Sequence, residues 1–322
     1  MKKIFMQKYF LTVPLMAVFL SSCLETEDTE FEKQAKFEDQ LISQHLEQNS
    51  ITATKDNTGI YYQALENNAS GTPVEQGDVV SIRYVMKTLS GKLIDSLSMS
   101  GEADTVVRYL HAPGAVNPTF YPEGISWGVR LMNEGEKFRF FIPSYLAFNN
   151  YSYKTLLPSE AILEVEAEVV KVESLDDLQT EEEQAIEDYI ENHQLEGVSK
   201  KSTGIYYQRL EEGTGETVKA GQTVKVAYKG MFLNGDVFDE TDSGKTFSFA
   251  VGYDDVIPGF VEGIKLMKKG EKGRIFIPSE LAYSKVPQVI PGVIKKDYLT
   301  KLYGRDLMAP FKTLIFEVEL KE

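Results

Sequence analysis

The hexapeptide Thr58-Gly59-Ile60-Tyr61-Tyr62-Gln63 occurs a second time, unchanged, as Thr203-Gly204-Ile205-Tyr206-Tyr207-Gln208. Leu131-Met132, Gly135-Glu136-Lys137 and Ile142-Pro143-Ser144 return in the same order as Leu266-Met267, Gly270-Glu271-Lys272 and Ile277-Pro278-Ser279. The later pieces lie closer to their copies than the hexapeptide does, so one folding unit was duplicated and its loops then diverged in length. Whatever one copy folds into, the other must fold into as well. A chain of 322 residues exceeds one ordinary compact core, and the repeat divides it into domains at 58–174 and 203–322.

Within each copy the pattern is mostly strand. Val224 to Tyr228 and Thr313 to Leu320 alternate at period two, and Arg274 to Ile277 reads as a further strand. Asn234-Gly235 between apolar runs suits a hairpin turn. One short helix is expected over Val261 to Met267, closed by Gly270. An antiparallel sheet wrapped on one short helix makes each copy an α+β domain. A helix is expected before each: within 23–57 for the first copy, and across the linker 175–202 for the second. In the linker, Thr180 and Glu183 form a capping-box pattern and Gly197 stands at the C-terminal end. Leu41, Ile42 and His45 echo Tyr189, Ile190 and His193. The two histidines lack a completing ligand set nearby, so helix packing is the reading and no metal site is expected.

Residues 1–22 read as a signal peptide, with Lys2, Lys3 and Lys8 ahead of an apolar stretch too short to span a bilayer. The stretch ends Leu20-Ser21-Ser22-Cys23, which resembles a bacterial lipobox, and Cys23 is the single cysteine of the chain. Lipidation at Cys23 would anchor the protein to a membrane of the bacterial envelope, on the periplasmic or surface face of the outer membrane; simple cleavage is the alternative. Consuming Cys23 leaves no thiol for disulfides, metal ligation or nucleophilic catalysis. Loss of residues 1–22 removes three lysines and no acid, carrying the net charge from −15 to −18. That balance excludes nucleic acid as a partner. Leu24 to Phe31 form an acidic tether.

The second copy presents, in order, Tyr228-Lys229-Gly230, Phe238-Asp239, Phe247-Ser248-Phe249, Val256-Ile257-Pro258-Gly259-Phe260, Leu281-Ala282-Tyr283 and Thr313-Leu314-Ile315-Phe316. This ordered series resembles the FKBP-type peptidyl-prolyl isomerases over about residues 203–322. The resemblance implies tandem FKBP-like domains and an isomerase needing no cofactor, since turning an X–Pro bond breaks amide resonance but transfers no proton. It further implies that Phe260 forms the pocket floor, where the family usually has Trp. Tyr228, Phe238, Phe247, Val256, Ile257 and Phe316 would form the walls. The Ile257 N–H and the Tyr283 hydroxyl would bind substrate carbonyls, with Asp239 at the rim. Tyr228, Asp239, Ile257 and Tyr283 are thus the expected catalytic set, and macrolide binding at this pocket is implied too. Read without the family, the same aromatics could be core of a β-rich fold.

Two departures stand out. Ser284 follows Tyr283 where the family usually has Gly, and the segment on to Leu307-Met308 exceeds the usual flap. Lys285, Lys295, Lys296, Lys301 and Arg305 outnumber Asp297 and Asp306 there, as befits either a lip for acidic clients or a loop paired to its own domain. The first copy keeps Tyr84 and Asp95 for Tyr228 and Asp239. Its Ile94, Ile125, Phe148 and Val165 stand for Phe238, Phe260, Tyr283 and Phe316, and Tyr121-Pro122 replaces Val256-Ile257. Pro122 has no N–H to donate, so this copy is expected to be inactive. Trp127 aligns with Glu262, away from the floor position. The leading expectation is an envelope isomerase that helps exported, proline-containing chains to fold. The alternatives are a non-catalytic chaperone or assembly factor, and a structural lipoprotein of a larger surface machine.

Overall fold

The computed structural model describes residues 28–97, 106–115, 119–253, 256–283, 289–302 and 310–321, the side chains of Leu299 and Leu302 excepted. Cys23 and the signal segment lie outside the described residues, as do Ser284, Lys285, Arg305, Asp306 and Leu307-Met308.

The first half runs α1 (Glu30–Gln48), β1 (Thr54–Lys55), β2 (Tyr61–Glu66), β3 (Val79–Thr88), β4 (Leu93–Ser96), β5 (Val107–Leu110), α2 (Glu123–Val129), β6 (Lys137–Ile142) and β7 (Leu163–Glu173). The second runs α3 (Leu175–Asn192), β8 (Val198–Lys200), β9 (Tyr206–Glu211), β10 (Thr214–Thr217), β11 (Thr223–Phe232), β12 (Val237–Glu240), β13 (Phe247–Ala250), α4 (Pro258–Ile264), β14 (Lys268–Lys269), β15 (Lys272–Ile277), α5 (Gly292–Leu302) and β16 (Leu314–Leu320). Among the described residues each half builds one large antiparallel sheet, ordered β1-β2-β6-β7-β3-β4 and β8-β9-β15-β16-β11-β12, and the second half adds a separate antiparallel pair, β10 with β14. The two orders are identical through the duplication, with β5 and β13 added beside β3 and β11. Register repeats as well: Met86 pairs with Val165 where Gly230 pairs with Phe316. The expected α+β architecture is therefore present twice.

On one face of each sheet lies the short helix. A Cβ at Gly263 of α4 would fall 2.3 Å from the Ile275 side chain of β15, so only glycine permits this approach. The helix begins at Pro258, three residues before the Val261 expected, because proline at the first helical position presets φ and needs no partner for a missing N–H. Leu266 and Met267 then fall in the turn that follows, closed by backbone bonds to Gly263 and Ile264.

The long helices α1 and α3 cover the opposite face. Ile42 and Leu46 pack with Phe141, and Ile186 packs with Tyr206, Phe276 and Ile315. A buried carboxylate docks each helix. Glu38 accepts the Ser144 N–H at 2.7 Å and hydroxyl at 2.5 Å, and Glu182 accepts the Ser279 N–H at 2.9 Å. These contacts align Ile42 with Ile186, one helical turn away from the expected match of Ile42 with Ile190. His45 instead meets Phe141, and His193 stacks on Tyr189 with ring centres 3.9 Å apart. Helix α3 also starts earlier than expected, capped by Ser174 and Asp177; Thr180 lies inside it and donates to the Asp176 carbonyl. Its C-cap is His193, followed by Gln194 at φ 51°, ahead of Gly197.

The insertion of the second half reaches the first half. Val289, Ile290, Ile294 and Tyr298 are buried in the cluster that holds Phe120 and Phe140. Residues 289–302 are therefore not a loop paired to its own domain.

Candidate functional site

Period-two geometry puts Tyr228 and Gly230 of β11 on the same face, and Phe316 of β16 lies directly across from Gly230. Phe247 and Phe249 of β13 come to that face beside Val226 and Val224. Phe260 rises into the same space from α4. Its ring meets Phe316 edge-on at 4.9 Å and Tyr228 at 5.9 Å, both in the edge-to-face range that aromatic quadrupoles favour. Tyr228 also lies 6.0 Å from Phe247, and Phe238 lies 5.6 Å from Phe316. Gly230 makes this crowding possible: a Cβ there would sit 2.6 Å from the Phe238 ring and 3.0 Å from Phe316.

The expected residues converge on this box. Phe260 and Phe316 are buried, Phe238, Tyr228, Val256 and Ile257 are half-buried, and Phe247 and Tyr283 stand 39% and 43% exposed at the mouth. The Tyr228 hydroxyl donates to Asp239 at 2.6 Å, and Asp239 itself is exposed at the rim. Burial and that carboxylate raise the Tyr228 pKa well above the ordinary phenol value, with a further push from nearby Tyr283. Tyr228 therefore stays a neutral hydrogen-bond donor across the physiological range. Ile257 is the N-cap of α4, and its carbonyl accepts the Phe260 N–H. Two residues join the box unforeseen. Phe249 is buried against Phe260 at 5.9 Å, and Phe232 packs on Phe238 at 5.0 Å. The Phe-Ser-Phe alternation of β13 carried the signal for Phe249.

What the arrangement can do follows from its surface. It offers a buried aromatic floor under a mouth of two exposed rings, with one fixed hydroxyl–carboxylate pair at the edge. Such a cleft grips a small apolar ring and leaves the attached amide in low dielectric, where the twisted form loses least.

The first half has the same frame, filled in. Tyr84 donates to Asp95 at 2.9 Å, yet its side chain is only 2% exposed. Phe120 closes over it at 5.8 Å and meets Tyr109 at 5.0 Å. Met86, where the second half has Gly230, is fully buried among these groups, and Phe148, the counterpart of exposed Tyr283, is 4% exposed. Trp127 lies on α2, half-buried against the same core, its indole N–H bonded to Glu123 and its ring against Arg130.

The family model for FKBP-type peptidyl-prolyl cis-trans isomerase matches residues 71–170 and again 214–321. FkpA of Escherichia coli K12, named an FKBP-type peptidyl-prolyl cis-trans isomerase, is 42% identical over 125 residues, covering 38% of this chain and 39% of the relative. The outer membrane protein MIP of Legionella longbeachae is 33% identical over 130 residues, 40% of this chain and 48% of that protein. The crystal structure of FkpA from Escherichia coli aligns at 37% identity and a TM-score of 0.35, covering 46% of this chain and 61% of that one. The chain thus spans about two-fifths of the length of the FkpA it matches. With both halves of its duplication matched, this chain belongs to the FKBP-type peptidyl-prolyl cis-trans isomerase family.

Proposed function

We propose that the second domain, residues 203–322, catalyses cis–trans isomerisation of X–Pro bonds in polypeptides, and that the first, residues 58–174, does not. The observation that carries this reading is the contrast between two copies of one pocket. The box around Phe260 is open at Phe247 and Tyr283, whereas its counterpart around Tyr84 is buried beneath Phe120 and Phe148.

The barrier to rotation is roughly 18–20 kcal/mol, and each tenfold in rate asks for about 1.4 kcal/mol of preference for the twisted amide. A proline ring seated on Phe260, between Phe238, Phe247 and Phe316, leaves its preceding carbonyl in an apolar setting. There the carbonyl trades bulk water for a few fixed donors, the Tyr283 hydroxyl and the Ile257 N–H. Tyr228 and Asp239 hold the rim. A macrolide with a proline-like ring would compete for the same floor.

In the cell, the protein would be tethered through a lipid on Cys23 to the bacterial envelope, with exported, proline-containing chains as clients. The acidic tether and the similarity to a protein named an outer membrane protein favour that setting. The second reading, a chaperone that holds chains without turning them over, gains support from the exposed rings at the mouth. Measuring isomerisation of a short X–Pro peptide by the full chain separates the two: catalysis supports the first, and binding at the uncatalysed rate the second.

A further inference from the structure

The first domain's pocket lost three of its ring positions to Ile94, Ile125 and Val165, and it is not left hollow. The second domain's insertion fills its mouth. Val289 runs parallel to Phe120: its N–H donates to the Thr119 carbonyl at 2.9 Å, and its carbonyl accepts the Tyr121 N–H at 2.8 Å. Tyr121 is the counterpart of Val256, directly before Pro122, which has no N–H; the backbone donor has moved back by one residue. Ile290-Pro291 follow, and α5 then turns Ile294 and Tyr298 onto the same surface. The Tyr298 ring sits 5.5 Å from Tyr121, 5.9 Å from Phe148 and 4.8 Å from Tyr151. Asp297 accepts the Tyr151 hydroxyl at 2.7 Å, and Lys301 lies over the Tyr151 ring.

We propose that the first domain keeps its pocket mouth as a peptide-binding site, whose ligand in this chain is the flap insertion of the second domain, residues 289–298. The ligand class is an extended apolar pair followed by proline and then one helical turn bearing an aromatic ring. The site works by strand addition through the Tyr121 N–H and the Thr119 carbonyl, with side-chain pockets for Ile290, Ile294 and Tyr298. Val289 lies six residues beyond Tyr283 in the sequence, so occupation of this site fastens the second domain's chain, a short way past its pocket mouth, to the first domain. The catalytically silent copy thereby serves as an anchor for the other copy's insertion. The catalytic silence of the first copy rests on the isomerase reading; the docking itself does not.

The test is hydrogen exchange on the full chain, read at single amides by NMR, for wild type, Tyr298→Ala and Val293→Ala. Val293 lies on the same helix but is 45% exposed, so its substitution is the control. The docking predicts that Tyr298→Ala speeds exchange at the Tyr121 N–H about tenfold or more, the factor set by local opening, while Val293→Ala leaves it unchanged. Amides of β3 and β7 in the first sheet keep their wild-type protection. Unchanged exchange at Tyr121 in Tyr298→Ala would overturn the proposal. So would loss of protection across β3 and β7 together, because the insertion would then be an integral part of the first core and not its ligand. Neither result depends on isomerase activity, so failure of the catalytic reading would be seen separately, as an X–Pro rate at background.

Discussion

The Tyr228 hydroxyl donates to the Asp239 carboxylate at 2.6 Å, across the hairpin that joins β11 to β12, and the duplication preserves the same bond between Tyr84 and Asp95 at 2.9 Å. One pair borders an open mouth and the other lies under a closed one. Removing the hydroxyl should therefore do different things in the two halves. Tyr228→Phe is expected to lower kcat/KM for an X–Pro peptide by about three- to tenfold, with little loss of stability at this half-exposed rim. Tyr84→Phe should leave the rate unchanged and cost the first domain about 1–3 kcal/mol, because half-buried Asp95 loses the donor that buried Tyr84 supplies. Peptide isomerisation and denaturant unfolding of the two variants check the pair.

Gly230 is the second point of contrast. Gly230→Ala would push a methyl group into the Phe238 and Phe316 rings and displace the pocket walls. The expected cost is about 1–3 kcal/mol of second-domain stability, as for other overpacked cores, together with a loss of isomerase activity larger than that of Tyr228→Phe. Unfolding and turnover measured on one preparation read both effects.

A pH dependence resides in the first domain. Burial lowers the His111 pKa to about 4, opposed by Asp78 and aided by Arg130, and the ring meets the Tyr109 hydroxyl at 3.2 Å. An unfolded histidine titrates near 6.5, so between about pH 6.5 and 4 the unfolded chain binds the extra proton. The stability from a neutral His111 is thus complete above pH 6.5 and is lost as pH falls toward 4. At pH 5 the first domain should be about 2 kcal/mol less stable than at pH 7 from this group alone. Fluorescence of Trp127, the single tryptophan and part of α2, reports first-domain unfolding, and His111→Gln should flatten the profile.

Glu182 has the opposite sign. Burial raises its pKa, with the Ser279 hydrogen bonds opposing, so the folded chain holds this proton more tightly than the unfolded one. Its contribution is largest below the ordinary carboxylate value and declines as pH rises through the raised one. Glu182→Gln keeps an acceptor for the Ser279 N–H and should be neutral or stabilising at pH 7. Glu182→Ala strands that N–H and should cost about 1–3 kcal/mol. Thermal unfolding of both variants across pH decides it.

These same carboxylates show what could be read from the chain and what could not. The duplication and sheet were legible because the Thr-Gly-Ile-Tyr-Tyr-Gln hexapeptide and period-two strands are local signals. So was the series of aromatic positions from Tyr228 to Phe316, which a familiar order of motifs made readable. The helix alignment slipped by one turn because polarity patterns assign acids to solvent, while Glu38 and Glu182 are the buried docking points. Capping-box residues occur at both Ser174 and Thr180, and only the stripe Leu178, Glu182, Ile186 packed on the sheet selects the earlier start. Docking of Tyr298 against Tyr121 and Phe148 joins residues more than 140 positions apart, with no periodicity to announce it. Phe120 was missed for a related reason: its ring fills space left by substitutions elsewhere in the first pocket.

The central claim is that catalysis resides in the box around Phe260. Its most direct test is the isomerisation rate of a short X–Pro peptide with the full chain and with Phe260→Ala. The account predicts catalysis well above background for the wild type and a fall of about tenfold or more in the variant, since Phe260 supplies the floor on which the proline ring would sit. A wild-type rate equal to the uncatalysed one, or a Phe260→Ala variant that folds and turns over as fast as wild type, would contradict it.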